Sequence, residues 1–314
     1  MSSELDFLRR RLLRASVGTA LATFAAGFPG SVLAIEGPLA ARPIPQSGEP
    51  LPVVGIGTAI VFDFENDPAK FAERRAVIQT LVSGGGKLID TAYGYGRAED
   101  RVGEIVDDLA VRDRLFLATK FSYNVDRAAA TVSMQASLRR LRTNRVDLMQ
   151  AWNVGDINYD FGLLREWKRQ GLCRYVGMTT SSSRQYEAIG KVLVRERPDF
   201  LQLNYSLADR EAEEALLPAA GDAGSAVLIN LPFGRNSLFR KVGTRPLPEF
   251  AAEFGAKTWA QFFLKFILSH PSVTAVIPGT DKPEYVLDNL QAGRGPLPDA
   301  AMRKRIVQYW DSLT

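Results

Sequence analysis

The sequence predicts an eight-stranded (β/α)₈ barrel on three observations. From Leu51 onward, short apolar runs alternate with longer amphipathic stretches; there are eight such runs; and the first is not followed by the glycine fingerprint of an open nucleotide-binding sheet. The strand candidates are, in order, Val53–Ile56, Lys87–Asp90, Leu115–Thr119, Val146–Ala151, Tyr175–Met178, Phe200–Leu203, Ala226–Asn230 and Thr274–Ile277. Each is short, mostly apolar and bounded by Gly, Pro or polar residues, as strands covered on both faces are. Helical patterns fill the gaps: Ala69–Ser83, Glu99–Leu109, Ala128–Leu141, Tyr159–Gln170, Ser183–Arg195, Glu211–Ala220, Thr258–Ser269 and Pro283–Ala292. Gly84 and Gly171 fall where helices should stop. Strict alternation implies a parallel sheet, and eight repeats imply closure. Gly55-Ile56-Gly57 lacks the third glycine and the following helix, which argues against a doubly wound sheet.

Composition sets further bounds. Hydrophobic residues make up 46% of the 314 positions and charged residues 24%, enough for a large core without disulfide or metal. The net charge is +4, but the first 34 residues carry four arginines against two acids, so the remainder carries only +2. No basic run with interleaved aromatics follows, so no nucleic-acid partner is expected. Cys173 is alone and cannot form an internal disulfide. With one Cys and one His, His270, neither a Cys/His zinc site nor a Ser-His-Asp triad is supported, and no metal is expected.

Residues 1–34 read as an address rather than as part of the fold. Arg9-Arg10-Arg11-Leu12-Leu13-Arg14 precedes a largely apolar stretch from Ala15 to Phe28, and Val32-Leu33-Ala34 ends it with small residues around a cleavage point. This is the charged, apolar and small-residue order of a secretory signal, and the arginines followed by leucines resemble a twin-arginine signal. Gly18, Gly27, Pro29 and Gly30 interrupt the apolar stretch, which disfavours a stable membrane span. The expected division is therefore a signal at 1–34 and one barrel at 35–314. The mature protein would be periplasmic or secreted and would meet the export machinery; its oligomeric state is left open, with a monomer favoured.

Chemistry in such barrels sits at the C-terminal ends of the strands. The polar residues there are Thr58, Asp90, Tyr95, Lys120, Trp152 and Asn153, Thr179 and Thr180, Gln202 and Asn204, Asn230, and Gly279 with Thr280. Asp90 and Lys120 end adjacent strands, and that pair by itself reads equally as a structural salt bridge or as part of a site.

Several motifs resemble the aldo-keto reductase family. They are Leu-Pro-Val-Val-Gly-Ile-Gly-Thr at 51–58, Ile-Asp-Thr-Ala-Tyr-Gly-Tyr-Gly at 89–96 with Ala98-Glu99 and Val102-Gly103, Ala-Thr-Lys at 118–120, and Val-Ile-Pro-Gly-Thr at 276–280 with Asp288-Asn289. The resemblance runs from Leu51 to Leu313. Met149-Gln150, Leu203-Asn204-Tyr205 and Ala208-Asp209-Arg210 resemble an exported bacterial branch. The resemblance implies a nicotinamide-dependent reduction of a small-molecule carbonyl. Tyr95, five residues after Asp90, would be the proton donor, Lys120 its tuner and Asp90 the residue that orients Lys120. A proton donor is needed because hydride arriving at carbon drives negative charge onto oxygen, and a nearby Lys⁺ favours the phenolate.

Several positions depart from the family pattern. The family's histidine at the end of the fourth strand is Trp152 here, larger and able to donate only one neutral hydrogen bond. That leaves three outcomes: reduction of reactive carbonyls through Tyr95 and Lys120, a shifted reaction, or cofactor binding without catalysis. For the cofactor, the resemblance points to Thr58, Asp90, Thr179, Thr180, Gln202, Asn230, Gly234, Gly279, Thr280, Lys282 and Asn289. Thr179 and Thr180 stand where a Ser-Asn pair is usual, and Asn230 where many relatives stack a Tyr. Gly279 and Tyr285 stand where many relatives grip a 2′-phosphate with Lys and Arg. NADP(H) is favoured by the resemblance, with NAD(H) as the alternative. One expectation can be checked on the purified extracellular or periplasmic protein: N-terminal sequencing should begin near Ile35, and an intact Met1 would overturn the signal reading.

Overall fold

The computed structural model describes residues 37–313, so the signal predicted at 1–34 lies outside the described residues. A hairpin comes first, β1 (Ala41–Pro43) pairing antiparallel with β2 (Pro50–Pro52). The barrel strands follow as β3 (Ile56–Gly57), β4 (Leu88–Asp90), β5 (Phe116–Phe121), β6 (Val146–Ala151), β7 (Cys173–Thr179), β8 (Phe200–Asn204), β9 (Ala226–Asn230) and β10 (Ala275–Val276). They form one eight-stranded parallel sheet in sequential order. Parallel bridges Val54–Val276 and Gly57–Gly279 join first strand to last and close it. The predicted (β/α)₈ barrel is therefore the fold of this chain.

The helices are α1 (Pro68–Ser83), α2 (Ala98–Asp108), α3 (Arg127–Arg140), α4 (Gly162–Arg169), α5 (Tyr186–Glu196), α6 (Leu216–Ala223), α7 (Ser237–Val242), α8 (Trp259–Leu268), α9 (Pro283–Gln291) and α10 (Ala300–Ser312). Local chemistry sets their starts. Asp67 accepts from the amides of Ala69 and Lys70 ahead of Pro68, Asp126 from Ala129, Thr258 from Gln261 and Asp299 from Met302. Gly84 ends α1, and Gly171, at φ +76°, follows the end of α4. Three boundaries differ from expectation. Asp160 accepts from the Gly162 amide, a turn that holds back the start of α4, and short 3₁₀ turns at Ser183–Gln185 and Glu211–Glu213 precede α5 and α6. The hairpin β1–β2, α7 and α10 lie outside the eight-repeat rhythm and were not expected.

The barrel interior is built by the two-residue period of its strands. Leu88, Phe116, Leu148, Tyr175, Phe200, Leu228 and Ile277 belong to one buried cluster. Ile44 and Leu51 of the hairpin join it and plug the floor. The plug is tied down by Arg42, which donates to the carbonyls of Leu268 (2.6 Å), His270 (3.1 Å) and Val273. Further along the same strand faces, two residues on or four in β5, the character changes to Asp90, Lys120, Gln150, Gln202 and Asn230. The outer core lies between barrel and helices, where α1 buries Val77, Ile78, Leu81 and Val82.

Gly103 marks the closest packing of α2. A Cβ there would overlap the Arg140 carbonyl oxygen and come within 2.9 Å of the Leu141 backbone. Both contacts are backbone, so neither can swing aside. Gly103→Ala should cost about 1–3 kcal/mol, the scale of an overpacked core, read as a lower thermal or urea midpoint; an unchanged midpoint would refute this account of the contact.

Candidate active site

The C-terminal mouth of the barrel carries one buried ion pair. Lys120 Nζ lies 2.6 Å from Asp90 Oδ2, with the side chains 1% and 3% exposed. Lys120 also donates to the Thr91 carbonyl at 2.9 Å. Gln150 and Gln202 each donate to Asp90 at 3.3 Å, one to each carboxylate oxygen. Burial by itself pushes the Lys120 ammonium toward neutrality, but the Asp90 carboxylate beside it, with the Tyr95 side chain, outweighs it and raises its pKa above the usual lysine value.

Tyr95 sits over this pair, with Lys120 Nζ 4.9 Å from its ring centroid. A tight turn holds it: the Tyr95 amide donates to the Ala92 carbonyl, and the Tyr95 carbonyl accepts from Ala98 at the start of α2. Asp63 accepts from the Arg97 amide at 2.9 Å. Gly96, at φ +57°, lies so close to Asp63 that a side chain would collide with it.

Trp152 closes one side of the mouth. Its ring meets Tyr93 at 5.4 Å and Tyr95 at 5.6 Å between centroids, edge-on to both. Gly94, between the two tyrosines, leaves the room this needs; a Cβ there would stand 2.7 Å from Trp152 Cη2. Lys120 thus touches both Asp90 and Tyr95, and Trp152 touches Tyr95, so the four expected catalytic residues are brought together.

The residues expected to hold a cofactor spread across the mouth toward β10. Thr58 donates through its hydroxyl to the Asp90 carbonyl. Thr179 Oγ1 accepts from the Asn153 amide, and the Thr180 hydroxyl is engaged by Gln185 and the Ser182 carbonyl. Asn230 donates to the Thr180 carbonyl at 2.9 Å. Four buried amide oxygens at these strand ends, Gln150 Oε1, Gln202 Oε1, Asn204 Oδ1 and Asn230 Oδ1, have no donor among the described residues. Leu231, Gly234, Arg235 and Asn236 all have positive φ, a strained run beside the mouth.

Beyond that run lies a cavity of about 550 Å³ lined by Val61, Phe233, Phe239, Trp259, Gly279 and Tyr285, with Asp281, Asp288 and Asn289 also on its wall. Gly279 has open space on its side-chain face. Thr280 accepts from Asn289 at 3.4 Å, and Lys282 Nζ lies 5.7 Å from the Tyr285 ring centroid. Asp288 accepts from Thr258 and Gln261, while burial pushes its carboxyl pKa up.

Sequence reasoning passed over Gln150, Tyr93 and Arg74 as site residues. Gln150 was legible from strand parity, since it lies between Leu148 and Trp152 on the inward face of β6. Tyr93 and Arg74 carried no such signal. Arg74 joins the two rims of the large cavity by donating to the carbonyls of Val61 (2.6 Å) and Asp281 (2.5 Å).

Comparison with known proteins follows from this geometry. The model of the Aldo/keto reductase family matches residues 53–308. Aldo-keto reductase YhdN of Bacillus subtilis is 31% identical over 159 residues, 46% of this chain and 47% of that protein, so the match spans about half of the relative's length. Aldo-keto reductase str7 of Strobilurus tenacellus is 26% identical over 276 residues, covering 74% of this chain and 80% of its own. An aldo/keto reductase of Klebsiella pneumoniae, crystallised with NADP and acetate, superposes with a TM-score of 0.71 at 24% identity, over 84% of this chain and 93% of that one. A thermostable aldo-keto reductase crystallised with the inhibitor epalrestat gives 0.70 at 28% identity, over 87% and 99%.

The pair at the centre makes a stability prediction. Asp90→Asn leaves a buried lysine charge without its counter-charge and should cost about 3–5 kcal/mol. The native contribution is full below the free-lysine value of 10.5 and is lost as pH rises through the higher folded value. Thermal melts of both forms between neutral and strongly alkaline pH should therefore converge at the alkaline end; parallel curves would contradict the assignment.

Proposed function

The chain belongs to the aldo/keto reductase family of oxidoreductases, and from that premise we propose that it reduces a small aldehyde or ketone by hydride transfer from a nicotinamide dinucleotide, with Tyr95 as proton donor. The observation that carries this reading is the buried Asp90–Lys120 pair lying beneath the Tyr95 ring.

The residues at the mouth fit the dinucleotide. Gln202 Oε1 and Asn230 Oδ1 are buried acceptors awaiting donors, and a nicotinamide carboxamide brings two N–H groups. The segment 231–236, with positive φ at Leu231, Gly234, Arg235 and Asn236, suits backbone passing close to a pyrophosphate. The cavity bearing Gly279 and Asn289, with Thr280 behind Asn289, has room for the adenosine end. The NADP held by the Klebsiella relative supports NADP(H). A specific observation favours NAD(H) as the second reading: Asp281 and Asp288 line that cavity, and Gly279 and Tyr285 supply no cation to it. Lys282 and Arg74 are the cations beside it.

When bound, the dinucleotide supplies the hydride. Negative charge then gathers on the substrate oxygen, and the Tyr95 hydroxyl gives it a proton. The Lys120 ammonium stabilises the charge left on the phenolic oxygen, and Asp90, itself held by Gln150 and Gln202, keeps that ammonium in place. Trp152 forms a wall of the pocket, and its indole N–H hydrogen-bonds to no described residue, which leaves it free to donate to a carbonyl oxygen. A role in cofactor binding without turnover is the reading Trp152 favours, since it stands where the family carries a histidine. The arginine cluster at Arg9–Arg14 supports export of the mature enzyme to the periplasm or beyond.

The test is cofactor oxidation with a panel of aldehydes, quinones and diketones, run with NADPH and NADH. Tyr95→Phe should lower turnover about 10²-fold or more with cofactor affinity, read by fluorescence quenching, little changed; Tyr93→Phe should not. Trp152→Ala should alter substrate preference more than cofactor affinity, and Trp152→His should raise activity on simple aldehydes. Cofactor binding with no turnover in any of these forms would establish the non-catalytic reading.

A further inference from the structure

The opposite face of the barrel holds a second concavity, far along the strands from Tyr95. It is formed where β4, β5, β6 and β7 begin, closed on one side by the hairpin, with a volume of about 220 Å³. Five cations line it, Lys87, Arg112, Arg114, Arg145 and Arg174, against the carboxylates of Glu49, Asp113 and Asp147.

Two of those carboxylates are already consumed. Asp147 is held by Arg112 at 3.0 Å, by Arg174 at 2.9 Å and by the Leu117 amide at 2.8 Å. Glu49 takes the rest of the Arg174 guanidinium and the Tyr175 hydroxyl. Arg112 also donates to the carbonyls of Leu115 and Arg145, so its fork is fixed. That leaves the exposed side chains of Lys87, Arg114 and Arg145, none with a hydrogen bond or ion pair to a described residue, although Lys87 acts electrostatically on Glu49; Asp113 is the one lining carboxylate not already paired. The strand register sets them close: Leu88 pairs with Phe116, so Lys87 lies level with the residue after Arg114, one strand spacing of about 4.8 Å away. Three cations against one unpaired carboxylate leave the concavity an excess of positive charge that an anion would relieve.

We propose that this floor concavity is a binding site for a small multivalent anion of phosphate or diphosphate character, held by Lys87, Arg114 and Arg145. Its volume suits a phosphate-sized group and is too small for a whole dinucleotide. Arginine forks match tetrahedral oxyanions in geometry as well as charge. The site is separate from the reduction proposed above and does not depend on it.

The probe is inorganic pyrophosphate, titrated by calorimetry and by thermal shift at ionic strength matched with sodium chloride, which removes simple screening. One site per chain and a saturable rise in the melting midpoint are expected, since an anion bound only to the folded state stabilises it. Lys87→Ala combined with Arg145→Ala should weaken binding at least about tenfold; both side chains are exposed, so the fold should tolerate the change. The dinucleotide site at the other end could also take pyrophosphate, so the titration is repeated with saturating NADPH. Binding that persists with NADPH and falls in the double variant supports the floor site. Binding abolished by NADPH, unchanged in the double variant, or absent altogether overturns it.

Discussion

A buried salt bridge with almost no access to water is the constraint around which the barrel mouth is organised. Bringing Asp90 and Lys120 out of water costs more than most side chains can return, and such a pair persists only when every remaining lone pair and proton has a partner. Here the pair and its partners draw on four strands. Thr91 follows β4, Gln150 comes from β6 and Gln202 from β8, while Lys120 itself ends the facing stretch of β5. Removing any one leaves a charged group short of a bond in a place where water cannot easily substitute. The pair therefore fixes the relative height of neighbouring strands at the mouth as well as the position of Tyr95.

Beneath this polar layer the interior is apolar down to the hairpin plug. The contrast sharpens the electrostatics. With Leu88, Phe116, Leu148 and Phe200 below, the Lys120 charge is not shielded from beneath, so its field is directed toward the open end where Tyr95 stands. The same alternation of side chains delivers both layers, because residues two apart on a strand face the same way.

That alternation also explains what could be read in advance. Asp90, Lys120, Thr179, Gln202, Asn230 and Gly279 continue the inward parity set by Leu88, Phe116, Tyr175, Phe200, Leu228 and Ile277, so strand assignment alone pointed them at the mouth. Thr180 has the other parity, and its hydroxyl is engaged by Gln185 instead. The hairpin was not legible because Ala41–Pro43 and Pro50–Pro52 are proline-rich and lack apolar alternation; what makes them strands is antiparallel pairing at the floor. Tyr93 and Arg74 were also hidden. Their roles arise from loops that approach Trp152 and Asp281 across long sequence separations, which no local period encodes.

Trp152 alters more than the shape of the pocket. A histidine at that strand end changes charge near neutral pH, whereas an indole neither gains nor loses a proton in water's accessible range. His270 is the only histidine in the chain, and it sits after α8 beside Tyr205, with its pKa lowered by burial and by Arg303. The groups gathered at the mouth are then a carboxylate paired with a lysine whose pKa is raised, side-chain amides, the phenols of Tyr93 and Tyr95 and an indole. None of these is an imidazole, so the mouth lacks the side chain that ordinarily switches between pH 5 and 8. What polarity remains for a carbonyl oxygen comes from fixed donors, and fixed donors act through position rather than through protonation. The rigid seat of Trp152 against Gly94, Tyr93 and Tyr95 is consistent with that requirement, because a single neutral N–H is useful only where its direction is held.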